Sequence, residues 1–337
     1  MNKKTVFIKD LKENQKLEQE PFVLKEASLS VTKQGKDFYK LVLNDRTGEI
    51  NATLWSDRFE FCDTNFSANQ VVKINALVES YRNSIQLNIQ TLTKTQDFDP
   101  KDFLPVSKTD PIELYDRCLN WIKKVKDEEL KKLLLLIYKD ENLKDKLINS
   151  PGAEKVHHAY LGGLLEHTLE MLEVALTYQN INQHLNQDLI IAGILLHDIG
   201  KALELRPNGV TIERTVEGSL EGHLALGYGI VQKFYWPDFP SPLKIQLNHI
   251  ILAHHGEIEQ GSPVRPQTLE AFVVYLADFG SSHLNQFQRA VTRGLETSNL
   301  FSEYERWLGR TVYLEPYREI SVDEENQAAV IKQPDLI

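Results

Sequence analysis

The sequence predicts a multidomain protein in which an N-terminal all-β barrel is followed by an all-α helical bundle. Three observations carry this reading. Period-two alternation of apolar residues fills the first ~95 positions. A proline-marked stretch, DFDPKDFLPVSKTDP, then interrupts the pattern. Beyond it the apolar period lengthens to about 3.6 and holds to about residue 300. For 337 residues two domains are the natural prior, and 42% hydrophobic with 26% charged residues suits cores of ordinary size. The divisions that follow are 1–97 for the barrel, 98–111 for a linker, 112–320 for the helical domain and 321–337 for a C-terminal tail.

Within the barrel, SIQLNIQTL places Ile85, Leu87 and Ile89 on one face and Gln86, Asn88 and Gln90 on the other. EINATLWS does the same, with Ile50, Ala52 and Leu54 opposing Asn51, Thr53 and Trp55. Further strands are predicted at 22–32, 38–43 and 71–79, with a short helix near 57–63. NDRTGE is a hairpin signal, because Gly48 is free to take a positive φ. Three strands, a small helix and two strands is the order of an OB-fold barrel. On the other side of the linker, Asp110 reads as an N-cap with Pro111 at the first helical position.

Composition excludes some classes. Two cysteines, Cys62 and Cys118, are too few for a disulfide framework. The apolar run TVFI near the N-terminus is too short for a secretory signal. No apolar run approaches the ~18 residues of a membrane span, so a cytoplasmic protein without membrane attachment is expected. The net charge of −10 argues against indiscriminate attraction to nucleic acid. That charge is uneven: the first 100 residues carry 14 basic and 14 acidic side chains, leaving 24 and 34 to the rest.

The most hydrophobic stretch, DLIIAGILLHDIGK, is apolar from Leu189 to Leu196 and ends on His197 and Asp198. Burying such groups unpaired costs several kcal/mol, so a partner is required. Helical spacing offers candidates. His223 lies on a stripe with Leu220, Gly227, Ile230, Val231 and Phe234, and Leu247, Ile250 and Ile251 lead to His254 and His255. Ala271, Val274 and Tyr275 lead to Asp278, while Leu164, Met171 and Val174 share a face with His167. One inward histidine is ordinarily a hydrogen-bonded core residue. Five helices each directing such a group inward point instead to divalent metal, two ions rather than one. Imidazole and carboxylate donors suit Mn, Fe, Co or Zn, and scarce thiols argue against a structural zinc. His184, His249 and His283 lack a partnered pattern and read as structural.

The order H…HD…H…HH…D resembles the HD-domain metal-dependent phosphohydrolases, named for the pair found here at His197 and Asp198. HHAYLGGLLEHTLEM, LLHDIGK, GHLALGY and AHHGEIEQGSPVRPQTLEA narrow the resemblance to the YhaM-type 3′-to-5′ exoribonucleases, which join an OB-fold to an HD domain. The closing YERWLGRTVY suits the same family. The resemblance covers almost the whole chain and is strongest from 155 to 278. One departure stands out. The family commonly has a second acid in a segment A-D-x-L-D, where this chain reads ADFGS, with Gly280 and Ser281 in place of Leu and Asp. Asp278 is kept, so the departure touches the surroundings of the metal site.

The resemblance implies a first metal held by His167, His197, Asp198 and Asp278, and a second that shares Asp198 and takes His223 and His254. Water would then be the nucleophile in an in-line attack on phosphorus. His254 and His255 are about 100° apart on a helix, so His254 is taken as ligand and His255 as a substrate or supporting contact. Lys201 is either a phosphate contact or a cation at a helix end, and the two readings stay open. His158 lies nine residues before His167, half a turn away on one continuous helix. A break at Gly162 and Gly163 would let it reach the site from the preceding segment, toward phosphate.

For the barrel, Trp55 is the best base-stacking candidate, with Phe38 and Tyr81 behind it. Lys33, Lys36, Lys40 and Arg82 are candidate phosphate contacts. A tryptophan capping the barrel end and solvated lysines would look the same in sequence. The function expected is a metal-dependent 3′-to-5′ exonuclease of single-stranded RNA, with DNA left open. Manganese is the first choice of ion, and Mg, Co, Fe and Zn are the others. The competing readings are a phosphohydrolase of small or cyclic nucleotides with a regulatory barrel, and a non-catalytic nucleic-acid-binding adaptor. Oligomeric state, including a homo-oligomer, is not readable.

Overall fold

A computed structural model describes residues 4–67, 69–81, 84–154, 158–208 and 210–318. Five strands form a closed barrel: β1 (Lys16–Val31), β2 (Asp37–Asp45), β3 (Gly48–Trp55), β4 (Gln70–Tyr81) and β5 (Ser84–Lys94). The spatial order is β1-β2-β3-β5-β4, parallel only between β3 and β5. A 3₁₀ turn, Ser56–Phe61, follows β3. Leu41, Leu43, Ile50, Ala52, Leu54, Ile74, Leu87 and Ile89 fill the interior, as the alternation requires. β1 begins six residues before the alternation does. Its first half pairs with β4 and its second with β2, with register shifts at Leu17/Glu20 and Leu24/Glu26. Each shift flips the side-chain faces, which is why period two is broken there in the sequence.

The helical domain contains α1 (Pro111–Lys124), α2 (Glu128–Tyr138), α3 (Glu141–Asn149), α4 (Gly163–Ile181), α5 (Gln187–Leu196), α6 (Lys201–Glu204), α7 (Val216–Phe234), α8 (Ser241–Ala253) and α9 (Leu269–Leu295). Asp110 caps α1 by accepting from the Ile112 amide, with Pro111 in the first turn. The expectation that nearly everything from the linker to about residue 300 is helix misses a small hairpin, β6 (Leu205–Asn208) and β7 (Thr211–Arg214). At four residues per strand it is too short to show a period. Around α5, whose residues Leu189–Leu196 are all buried, pack α2, α4, α8 and α9. A helix apolar on every side has nowhere else to go. Among the described residues no helix is long and apolar enough to cross a membrane. Arg82 and the tail at 321–337 lie outside the described residues.

Candidate metal centre and nucleic-acid face

The buried end of α5 poses a problem of orphan carbonyls, and His197 is part of its solution. The Gly193 carbonyl accepts from the His197 amide (2.8 Å), and the Leu195 carbonyl from the Tyr138 hydroxyl (2.9 Å). The Ile194 carbonyl lies 2.7 Å from His197 Nδ1, so that nitrogen donates. A neutral imidazole has a single N–H. With the proton committed to Nδ1, the Nε2 lone pair points away from the helix. α8 repeats the device: His254 is its C-cap, and Nδ1 donates to the Ile251 carbonyl (2.8 Å).

His223 is presented differently. Gly222 has φ 73° and ψ 159°, which breaks α7, so His223 opens its second segment. The break leaves Leu220, expected on the buried stripe, 81% exposed. His223 Nδ1 lies 3.1 Å from Glu204 Oε2, a buried carboxylate on α6 that the sequence reading did not single out. Again the proton goes to Nδ1. His167 projects from α4, with Nδ1 3.0 Å from the Ser281 hydroxyl oxygen on α9. Four histidines thus have Nδ1 anchored on oxygen and Nε2 turned inward.

Asp198 lies among them. Its Oδ2 is 3.2 Å from His197 Nε2 and 4.0 Å from His167 Nε2. Its Oδ1 is 3.4 Å from His223 Nε2 and 3.5 Å from His254 Nε2. His167 Nε2 also lies 3.2 Å from Asp278 Oδ1. These donors fall into two groups close enough to share an ion, His167-His197-Asp278 and Asp198-His223-His254-His255, and a third such group among the described residues is His158-His167-Glu170. Imidazole nitrogens facing carboxylates at these distances form a pocket that favours positive charge, a proton or a metal ion. Two donors each ~2.1 Å from one ion stand roughly 3.0–3.4 Å apart, for octahedral and tetrahedral angles respectively. Three of the five separations fall in that range, His254 to Asp198 lies just above it at 3.5 Å and His167 to Asp198 is wider at 4.0 Å, so the residues present suit divalent metal. Seven residues on five helices and the adjoining turns supply the donors.

The remaining candidates have defined positions. His255 Nε2 is 3.2 Å from His223 Nε2, which brings it into the second group. Its Nδ1, unlike that of His254, has no hydrogen-bond partner, so no anchor sets its tautomer. Lys201 Nζ is 2.6 Å from Asp198 Oδ2 and is buried. His158 does arrive from the segment before α4, at φ 48°, with Gly162 at φ 80° preceding the helix. Its Nε2 meets Glu170 Oε2 at 3.2 Å, a partner that sequence spacing does not reveal.

Electrostatics follow from burial and these neighbours. Burial holds His167 down at about 4, and burial with the charges of His254 and His223 holds His255 at about 3. Burial also depresses His254. For His197 burial is opposed and outweighed by Asp198, leaving it raised. Asp198 is likewise desolvated, yet Lys201 and His197 keep it well below the usual carboxylate range. The metal-free protein therefore loses stability in acid. The unfolded chain takes up protons below pH ~6.5 that folded His167 refuses until about pH 4. That window is worth about 3 kcal/mol for His167 alone. His197, being raised, contributes stability that is fully present below pH ~6.5 and is lost only as the pH rises above it, so it adds nothing to the acid slope. Melting temperatures in chelator should fall between pH 6.5 and 4, and a flat profile would contradict this account.

On the barrel, Phe38 and Trp55 are cross-strand partners with ring centroids 5.1 Å apart. Lys36 Nζ lies 5.4 Å from the Trp55 centroid and 3.0 Å from Asp57 Oδ1, and Lys40 Nζ lies 5.8 Å from the Phe38 centroid. Four of the five predicted nucleic-acid residues are thus on one face. A groove of about 580 Å³ next to it is lined by Lys25, Lys40, Asn51 and Phe66.

Comparison with known proteins agrees with both halves. The HD domain family matches residues 164–279, and the OB-fold nucleic acid binding domain family matches residues 25–95. The chain is 30% identical over 275 residues to the 3′-5′ exoribonuclease YhaM of Geobacillus sp. (strain WCH70), covering 80% of this chain and 84% of the relative. For the protein of that name from Bacillus subtilis (strain 168) the identity is 30%, covering 80% of this chain and 86% of the relative. For Listeria innocua serovar 6a (strain ATCC BAA-680 / CLIP 11262) it is 31%, over 81% and 87%. Two-domain order, donor set and identity along most of both chains converge: this chain belongs to the YhaM family of 3′-5′ exoribonucleases.

Proposed function

We propose that the protein is a metal-dependent 3′-to-5′ exonuclease of single-stranded RNA, working in the cytoplasm with two divalent ions, manganese first among the candidates. The observation that carries this is Asp198, whose two oxygens face separate groups of donors. His167, His197, Asp198 and Asp278 would hold one ion, and Asp198, His223 and His254 the other. When bound, such ions polarise the scissile phosphate and acidify the attacking water. The chain supplies the rest. The Nδ1 anchors hold the ligand rings in one tautomer. His255 is neutral at physiological pH and lies beside His223, where it would serve as a substrate or supporting contact. Lys201, paired with Asp198 at 2.6 Å, would be the cation that contacts a substrate phosphate.

In this reading residues 1–97 hold the substrate and residues 112–320 cleave it. Phe38 and Trp55 would stack bases, while Lys36, Lys40 and Arg82 follow the backbone. Trp55→Ala should weaken binding of a single-stranded oligonucleotide by about 5- to 150-fold, the equivalent of ~1–3 kcal/mol for one stack. Its turnover at saturation should stay near that of the wild type. Equal affinity in a filter-binding titration would remove Trp55 from the interface.

The decisive assay incubates 5′-labelled single-stranded RNA, and DNA in parallel, with Mn²⁺ or Mg²⁺. A ladder shortening from the 3′ end is expected with RNA, and the DNA lane reports sugar preference. Cleavage of mononucleotides alone would favour the small-nucleotide reading. A purified protein that binds oligonucleotide but neither binds metal nor cleaves would favour the adaptor.

A further inference from the structure

We propose that Glu170 is a positioning residue for the metal site, acting on His167 through the hydroxyl of Ser281. The proposal rests on reading the buried histidines and aspartates as metal ligands. Its basis is a facing arrangement of two helices. α4 carries His167 and Glu170 three residues apart, and α9 carries Asp278 and Ser281 three residues apart. Such spacing puts each pair on one helical face, a turn from each other. The pairs interlock. His167 Nε2 is 3.2 Å from Asp278 Oδ1, and its Nδ1 is 3.0 Å from Ser281 Oγ. Ser281 Oγ in turn is 2.5 Å from Glu170 Oε2.

Counting protons gives the direction of the chain. A carboxylate only accepts, so the single hydroxyl proton of Ser281 goes to Glu170. The Ser281 oxygen must then accept from His167 Nδ1. That uses the one proton of a neutral imidazole and leaves the Nε2 lone pair for metal, beside Asp278. The charge of Glu170 thus orients His167 from one hydroxyl away. A carboxylate behind a ligating histidine is a common means of fixing its tautomer and raising its basicity. Here the carboxylate comes from the histidine's own helix, with a serine of the facing helix between.

The arrangement accounts for the ADFGS departure. Ser281 occupies the position where the resembling segment has Asp, and Glu170 places a carboxylate against its hydroxyl from across the helix interface. His158 has a place in it as well. Its Nε2 is 3.2 Å from Glu170 Oε2 and 3.4 Å from Asn285 Nδ2, and its amide donates to Asn285 Oδ1 at 3.2 Å. Glu170 has a side chain 44% exposed, and both His158 and Ser281 contact its Oε2.

The test measures Mn²⁺ affinity of the metal-stripped full chain without RNA, by electron paramagnetic resonance of the free ion. Glu170→Gln, nearly isosteric and partly exposed, should weaken binding by about 10- to 100-fold, and Ser281→Ala by a similar factor. Ser281→Asp puts the carboxylate directly against His167 Nδ1, so in that background Glu170→Gln should change affinity by less than about threefold. A Glu170→Gln affinity equal to wild type overturns the proposal. So does an undiminished loss in the Ser281→Asp background, since a merely structural role would not be rescued. Loss in Glu170→Gln with none in Ser281→Ala would assign the effect to His158 and also overturn it. Wild-type protein that binds no Mn²⁺ would sink the metal reading itself, an outcome separate from the other three.

Discussion

Asp198→Ala should abolish the 3′-to-5′ ladder, with turnover falling by more than about 10³-fold, the scale of losing a principal electrostatic element of a hydrolytic site. The size of the effect follows from position. Asp198 approaches four imidazole nitrogens at 3.2–4.0 Å, and its two oxygens serve both donor groups. Removing it costs both groups a donor at once. It also leaves the buried Lys201 ammonium without the carboxylate at 2.6 Å, and an uncompensated buried charge costs about 3–5 kcal/mol. Asp198→Asn keeps the shape and separates chemistry from folding. Both variants should bind single-stranded RNA through the barrel within about threefold of wild type, because among the described residues Asp198 shares no ion-pair partner with the barrel candidates. Internal cuts by the wild type, or equal activity in a folded Asp198→Asn, would defeat the assignment.

Gly200→Ala should be the most damaging substitution that touches no polar side chain. A methyl group there would lie 2.0 Å from the His223 carbonyl oxygen and 2.5 Å from the Gly227 amide nitrogen. Both are backbone atoms and cannot swing aside. α7 must move, and His223 with it. Overpacking of this kind costs ~1–3 kcal/mol and sometimes more. Activity should fall further than stability, because the displaced group belongs to the donor set. Thermal melting and single-turnover cleavage, measured on one preparation, check this. A variant that melts and cleaves like wild type would mean that the α6–α7 contact is looser than drawn.

Much of this site is legible in the sequence because its donors interrupt apolar stripes. His167, His197, His254 and Asp278 each stand where a periodic pattern asks for leucine, and each is directed to the interior. Their supporting groups leave no such trace. Glu204 and Ser281 are buried and Glu170 is partly exposed, and which histidine each one meets is decided by tertiary packing, which has no periodic signature. Glu204 offered one clue, an acid directly after the apolar pair Ala202 and Leu203 that continues the helix end. Gly222 explains the stripe that failed: the sequence permits a break at any glycine, and only packing selects this one. The β1 strand is a similar case, since its change of partner is decided by barrel closure and not by local alternation.

The paired endings of α5 and α8 have a consequence beyond tautomers. Both helices stop at the site, one at His197 and the other at His254. The C-terminal end of a helix carries the equivalent of roughly half a negative charge. Two such ends directed at one point act as a fixed anionic field that no change of pH can neutralise. Cation attraction at this centre is therefore partly built into the backbone, and protonating Asp198 or Asp278 in acid would weaken it without erasing it.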